Sequence, residues 1–341
     1  MALVSRMQSA RPQALFLASL IALAYCAVPS KIGVLAASTK TDCVPGEKDT
    51  TCTCDSTATG EERLSATLSQ EKNVMKIVCE PQMTCAPEDL LDKVCPAEQV
   101  ELKGCQLKLS DLLAEDATSV AWEAEKVKAK ENGETKSLTI PTQNFPYSDQ
   151  RFAVGCTGEN KKCKVVVTVE ARPTVTDGQT VTCAYGASSN TSHQAVTLSP
   201  SNNSFTLVCG EKGDVLPATY ETTYCVSGST DAAETCDEKW TSVFADYDSK
   251  WWKNPEGTNS FTLSIPTDKF PSEQKKVMVG CQQKKETNDE QRKAGAPAGP
   301  TVCSVDVTIE ATSSASFTAA TGVVSFLAVI GGLISALGHP A

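Results

Sequence analysis

Two ordered sets of six cysteines constrain this chain more than any other feature. Cys54, Cys79, Cys95, Cys105, Cys156 and Cys163 are followed by Cys183, Cys209, Cys225, Cys236, Cys281 and Cys303. The residues around them repeat as well. Ile140-Pro-Thr-Gln-Asn-Phe-Pro146 through Val154-Gly-Cys156 recurs as Ile265-Pro-Thr-Asp-Lys-Phe-Pro271 through Val279-Gly-Cys281, at a single offset of 125. Thr67-Leu-Ser69 with Cys79 recurs as Thr197-Leu-Ser199 with Cys209 at an offset of 130, and the run from Cys163 to Ala171 recurs from Cys303 to Ala311. A period this long is a duplicated domain, not a solenoid repeat. The join falls at residues 172–178, a short segment containing Pro and Gly. With 16 Cys in 341 residues, the chain belongs in an oxidising compartment.

Each copy reads as β-structure. Val165, Val167 and Val169 alternate with Val166, Thr168 and Glu170, and Val305, Val307 and Ile309 alternate with Asp306, Thr308 and Glu310. A period of two marks a half-buried strand. Cys79 follows Met75 and Ile77 on one face, Cys209 follows Phe205 and Leu207, Cys156 follows Phe152 and Val154, and Cys281 follows Val277 and Val279. These cysteines therefore lie on apolar faces, where two packed sheets can be bridged through a shared core. Only residues 110–130 carry a helical pattern. The expected fold is all-β: two tandem, disulfide-stapled sandwiches over residues 38–172 and 173–312. Six cysteines allow about 15 pairings and spacing alone does not choose among them, although Cys95/Cys105 and Cys225/Cys236 are close enough to close local loops. Cys52 and Cys54 are too close for a zinc knuckle and no second pair completes one, so no metal or cofactor is expected.

The flanking segments read as targeting signals. Arg6 and Arg11 precede an apolar run over residues 14–28, as in a secretory signal peptide occupying residues 1–36. Cleavage sites follow Ala24, Ser30 or Ala36; the later ones are favoured because Pro29 ends the helical run, and they remove Cys26. Residues 313–341 combine small residues, a short polar spacer and an apolar run over 323–337, the pattern of a glycosylphosphatidylinositol (GPI) attachment signal with Ser313 or Ser314 as the attachment residue. A transmembrane helix is the rival reading.

Charge bounds the partners. The chain holds 31 Lys and Arg against 41 Asp and Glu, for a net charge of −10, which argues against nucleic acid. Residues 38–172 hold 17 basic and 23 acidic residues. Two lysine clusters still offer a local ligand patch, Lys126, Lys128 and Lys130, and Lys161, Lys162 and Lys164; the plainer reading of each is a solvated face. Asn190-Thr-Ser192 and Asn202-Asn-Ser204 are N-glycosylation sequons. Trp251-Trp252 reads as partly core, and residues 282–302 as a lengthened hairpin tip and antibody target. Only two His occur, His193 and His339, and His339 lies in the segment expected to be removed. A Ser-His-Asp or Cys-His centre would have to rest on His193, with no nucleophile motif beside it, so no enzyme is expected.

Several motifs together resemble one family. Phe145-Pro146 with Val154-Gly-Cys156, the run from Cys163 to Arg172, Cys183-Ala-Tyr-Gly186, Leu207-Val-Cys-Gly210, Trp251-Trp252, and Phe270-Pro271 with Val279-Gly-Cys281 resemble the SRS superfamily, the GPI-anchored surface antigens of Toxoplasma-type coccidian parasites. The resemblance implies nested pairing: Cys54–Cys163, Cys79–Cys156 and Cys95–Cys105, then Cys183–Cys303, Cys209–Cys281 and Cys225–Cys236. Cys43, Cys52 and Cys85 depart from the pattern; Cys52 or Cys54 can fill the first position, and loss of Cys26 leaves one thiol that is either free or joins two chains. The resemblance further implies a protein on the outer face of the plasma membrane that attaches to a host-cell glycan or protein receptor and meets host antibodies. Some members form parallel homodimers with a basic groove. The alternatives are a decoy coat protein without a specific receptor and the six-cysteine gamete-surface adhesins of related parasites.

Overall fold

A computed structural model of the chain describes residues 41–55, 57, 60–125, 133–228, 236–284 and 302–312. The expected signal peptide, Cys26, Lys126, Lys128, Lys130, Ser313, Ser314 and most of the lengthened tip lie outside the described residues.

Each copy is a two-sheet sandwich with the same topology. In the first, Gly60–Leu68 runs parallel to Lys161–Val169, which pairs antiparallel with Gln150–Thr157; Thr84–Ala86 and Lys93–Pro96 add to the far side of Gln150–Thr157. The facing sheet runs Val44–Pro45, Asp49–Cys54, Val74–Cys79, Glu134–Thr139, Trp122–Ala124. In the second copy, Gln194–Leu198 runs parallel to Val302–Ile309, which pairs with Lys275–Gln283 and through it with Gly213–Leu216. The facing sheet runs Val175–Asp177, Thr180–Thr182, Ser204–Val208, Ser260–Ser264, Trp252–Lys253. Alternation drives both halves: Val165, Val167 and Val169, and Val305, Val307 and Ile309, are fully buried, while the residues between them are not apolar core.

Register brings the cysteines together. Cys54 lies opposite Cys79 in one sheet and Cys156 lies opposite Cys163 in the other. Two staples therefore cross the core side by side, Cys54–Cys163 and Cys79–Cys156, with S–S distances of 2.05 and 1.92 Å. The second copy repeats them as Cys183–Cys303 and Cys209–Cys281. Cys95–Cys105 and Cys225–Cys236 close local loops, Cys43 is joined to Cys52, and Cys85 is a free, buried thiol. The Val-Gly-Cys motif has a steric cause. A Cβ on Gly155 would lie 1.9 Å from the Cys163 carbonyl oxygen, and one on Gly280 would lie 2.2 Å from that of Cys303. Only glycine lets the neighbouring strand come this close beside the staple.

Residues 110–125, the described part of that stretch, are not the helix their pattern predicts. Through Glu125 they hold only a 3-10 turn, Leu109–Leu112, and the strand Trp122–Ala124. Glu115 takes a φ of 57°, which stops helix propagation, and the Asp116 carboxylate accepts from the Thr118 N–H and hydroxyl at 3.3 and 2.6 Å. Ala114, Ala117, Val120 and Trp122 are buried from an irregular path instead. Their spacing reflects contact with the sandwich, not a helical face.

The join between the copies is densely hydrogen-bonded. Asp149 accepts from Ala171 N at 2.8 Å and from Ala187 N at 2.9 Å, so one carboxylate holds backbone on both sides of the linker. Tyr185 N donates to Tyr147 O at 2.7 Å, and Ser189 Oγ donates to Arg172 O at 2.8 Å. The Arg172 guanidinium lies 4.3 Å from the centroid of the Tyr147 ring and donates through Nε to Phe145 O at 2.9 Å.

Two outcomes follow from this packing. Replacing Cys209 and Cys281 together by Ala, which opens a link spanning 72 residues, lowers unfolding free energy by about 4 kcal/mol, against about 3 kcal/mol for the Cys95/Cys105 pair spanning 10; guanidinium unfolding measures both. Asp149→Ala leaves two amides without their acceptor, and hydrogen exchange at Ala171 and Ala187 then speeds at least tenfold while core strand amides keep their protection.

Candidate functional site: the stapled loop of the first domain

The lysine cluster at residues 161–164 leads to a loop. Lys162 and Lys164 lie on strand Lys161–Val169, two residues apart, and so project to one face of the sheet. Lys164 is only 6% exposed, and its ammonium donates to Gln99 O at 2.7 Å. Burial, with the Arg63 charge nearby, pulls its pKa below the ordinary lysine value. Lys162 pairs with Glu101 at 3.1 Å, and Arg151 on the next strand pairs with Glu98 at 3.7 Å. Lys161 lies close enough to Asp55 to help hold that carboxylate below its usual range, behind the larger effect of hydrogen bonds from Thr57. Lys162 and Lys164 are thus both held by contacts to residues 96–105.

That segment is built to hold one shape. Cys95–Cys105 closes it, Leu102 is buried against Ala86 and Ala153, and the Gln99 side-chain amide donates to Glu101 O and Lys103 O at 2.7 and 2.9 Å. Gly104 takes a φ of 65°, where a side chain would be strained. With its backbone tied inward, the loop turns Val100 outward at 58% exposure. Leu91, on the preceding turn, is 60% exposed. Arg63, Glu98 and Glu61 act on Lys164, and Glu101 pairs with Lys162, so the charge beside the loop is mixed in sign. A rigid loop on a rigid scaffold can present a fixed shape to a partner without an ordering cost.

Other candidate residues separate cleanly. Asn190 is half-buried with both amide atoms engaged: Nδ2 donates to Ala184 O at 2.7 Å and Oδ1 accepts from Thr174 Oγ1 at 2.6 Å. Asn202 is exposed on a tight turn, where its backbone N–H donates to Ser199 O at 3.0 Å. Trp252 is buried in the second core, in contact with Phe205, Tyr220 and Trp240, while the half-buried Trp251 stands edge-on to Phe244 and Tyr247. His193 Nδ1 lies 3.0 Å from Asp306 Oδ2, and the other oxygen of Asp306 accepts from Ser227 Oγ at 2.8 Å. The hydroxyl is thus bound to the acid and not to the imidazole, the wrong order for activating a serine. Cys54, Glu62 and Cys163 cluster at metal-ligand range, but both sulfurs are committed to one disulfide.

The sequence did not single out Gln99, Val100, Arg151 or Asp149. The Cys95-to-Cys105 spacing was the available signal for the loop; the tethers from Arg151 and Lys164 depend on strand order, which no local pattern carries.

Comparison with known proteins places this architecture. No curated protein sequence matches the chain. Among solved structures, the chain is similar to the bradyzoite specific antigen BSR4 from Toxoplasma gondii, at 28% identity and a TM-score of 0.64, covering 79% of this chain and 97% of that one. SporoSAG from Toxoplasma gondii matches at 18% identity and a TM-score of 0.29, covering 76% of this chain and 100% of that one. The SAG family model, described as the SRS domain, matches residues 48–169 and again residues 179–309. Both cysteine frameworks fall within those spans, and the chain belongs to the SRS family of parasite cell-surface antigens.

Proposed function

We propose that this chain is a GPI-anchored, non-catalytic adhesin whose first domain attaches to a protein component of the host-cell surface, and that its exposed loops meet host antibody. The observation that carries the reading is the stapled loop at residues 96–105, which holds Val100 outward while its charged neighbours are paired. A surface that bound sulfated glycans through Lys161, Lys162 and Lys164 would need those ammonium groups turned to solvent; Lys164 is buried on Gln99, and Lys162 is held by Glu101. The segment holding Lys126, Lys128 and Lys130 is the remaining basic candidate for a polyanion. Support for anchoring comes from the small residues at Ser313 and Ser314 followed by the apolar run over 323–337. The Ser227–Asp306–His193 arrangement supports a role without catalysis.

Binding of the oxidised protein to host cells, with and without enzymatic removal of sulfated glycans and across a salt titration, tests this. Saturable binding is expected to survive glycan removal and to change by less than about threefold between low and moderate salt. Val100→Asp is expected to weaken it about tenfold with unchanged thermal unfolding, as loss of a central apolar contact does. Binding that disappears with the glycans transfers the site to the other lysines, and absence of saturable binding leaves a decoy coat protein. When the protein is expressed in a glycosylating secretory host, isotope-labelled deglycosylation is expected to mark Asn202 and to leave Asn190 unmarked, because only Asn202 presents its amide to solvent.

A further inference from the structure

The first domain holds one more core cysteine than its staples use. Strand Val74–Cys79 leaves one sheet, turns through Pro81 and Gln82, with Met83 N donating to Glu80 O at 3.1 Å, and enters the opposite sheet as Thr84–Ala86. The turn sets Cys85 directly opposite Cys156 in the ladder, and Cys156 is itself opposite Cys163. Cross-strand partners share a face. Three cysteines on adjacent strands of one sheet therefore face two, Cys54 and Cys79, on the other. Cys85 is 7% exposed, and its Sγ lies 3.4 Å from Cys79 Sγ, an atom already bonded to Cys156.

We propose that Cys85 is a resident exchange thiol: its thiolate attacks Cys79 Sγ, the Cys79–Cys85 bond forms as Cys79–Cys156 breaks, and Cys156 leaves as the thiolate. The proton that Cys85 gives up to solvent is recovered on Cys156, so the step needs no oxidant or reductant. Either bond joins the same two sheets, because Cys85 and Cys156 stand on neighbouring strands. The crosslink persists while the free thiol moves, and the sequence separation it spans changes from 77 to 6. Burial pushes the Cys85 thiol up to about 12, and the Glu134 carboxylate, which accepts from Cys85 N at 2.7 Å, acts in the same direction; Lys136, 3.8 Å from Glu134, opposes them only in part. The thiol is thus protonated at neutral pH and the exchange is slow there. The second domain is a built-in control: Val215 lies opposite Cys281, where the first domain has Cys85 opposite Cys156.

The test is disulfide mapping of the oxidised, full chain incubated between neutral and alkaline pH, acid-quenched, alkylated with a light reagent, reduced, and alkylated with its heavy form. The light label is expected on Cys85 at first and then in part on Cys156, at a rate that rises about tenfold per pH unit below the thiol pKa and does not vary with protein concentration. Cys209 and Cys281 stay heavy throughout. Glu134→Gln keeps an acceptor for Cys85 N but removes the charge, and is expected to speed the transfer severalfold. Cys85→Val, the residue the second domain has at this position, is expected to fold and to leave Cys156 without light label. Light label confined to Cys85 at every pH overturns the proposal. So does light label on Cys156 in Cys85→Val, or a rate proportional to protein concentration.

Discussion

The pairing of staples across each core is the constraint on which the remaining structure depends. A disulfide between two sheets fixes one point; two of them, one ladder step apart, also fix the angle and the register of both sheets. A one-residue slip of any of the four strands would turn a cysteine toward solvent and leave its partner buried and unpaired. The glycine before Cys156, and its counterpart before Cys281, belongs to the same arrangement, because the close approach of the neighbouring carbonyl leaves no room for a Cβ. Once the sheets are locked in this way, the connecting segments need little secondary structure of their own, and the first domain makes do with 3-10 turns and short strands.

That economy explains how an acidic domain comes to bury a lysine beside the exposed Val100. Loop 96–105 has too few apolar residues to fold on its own: Leu102 is its single large buried side chain. The sheet supplies what is missing through Lys164, Lys162 and Arg151, which reach from two adjacent strands to Gln99, Glu101 and Glu98. Of these, only the Lys164 contact is shielded from water; the two ion pairs are partly exposed and contribute modestly. Shape, more than charge, is what the loop offers outward.

Much of this was legible in the residues. The alternation of Val165, Val167 and Val169 reports a half-buried strand because period two is a local property, and the repeated offsets expose the duplication without any structure. The apolar side of Cys79 and Cys156 showed that a bridge between sheets was available. What local pattern does not carry is strand order: that Lys161–Val169 lies beside Gly60–Leu68, that Arg151 reaches Glu98, or that Cys85 comes to rest beside Cys79. Residues 110–125 misled for a related reason. Ala114, Ala117 and Trp122 are spaced as on a helix, yet a positive φ at Glu115 and the Asp116 side chain's capture of Thr118 divert the backbone, and burial follows the surface they cover.

The link between Cys54 and Cys163 has a mechanical meaning. These residues bracket nearly the whole of the first sandwich, and they are 109 apart in sequence. Tension applied along the chain crosses the domain through that one covalent bond and bypasses the folded strands between. At about 3.5 Å per extended residue, roughly 380 Å of contour length is withheld from any pull while the bond lasts. The second domain, closed by Cys183–Cys303, withholds its strands in the same way. A protein so wired yields only in its linkers and outer edges, and a load borne at one end reaches the other without unravelling what lies between.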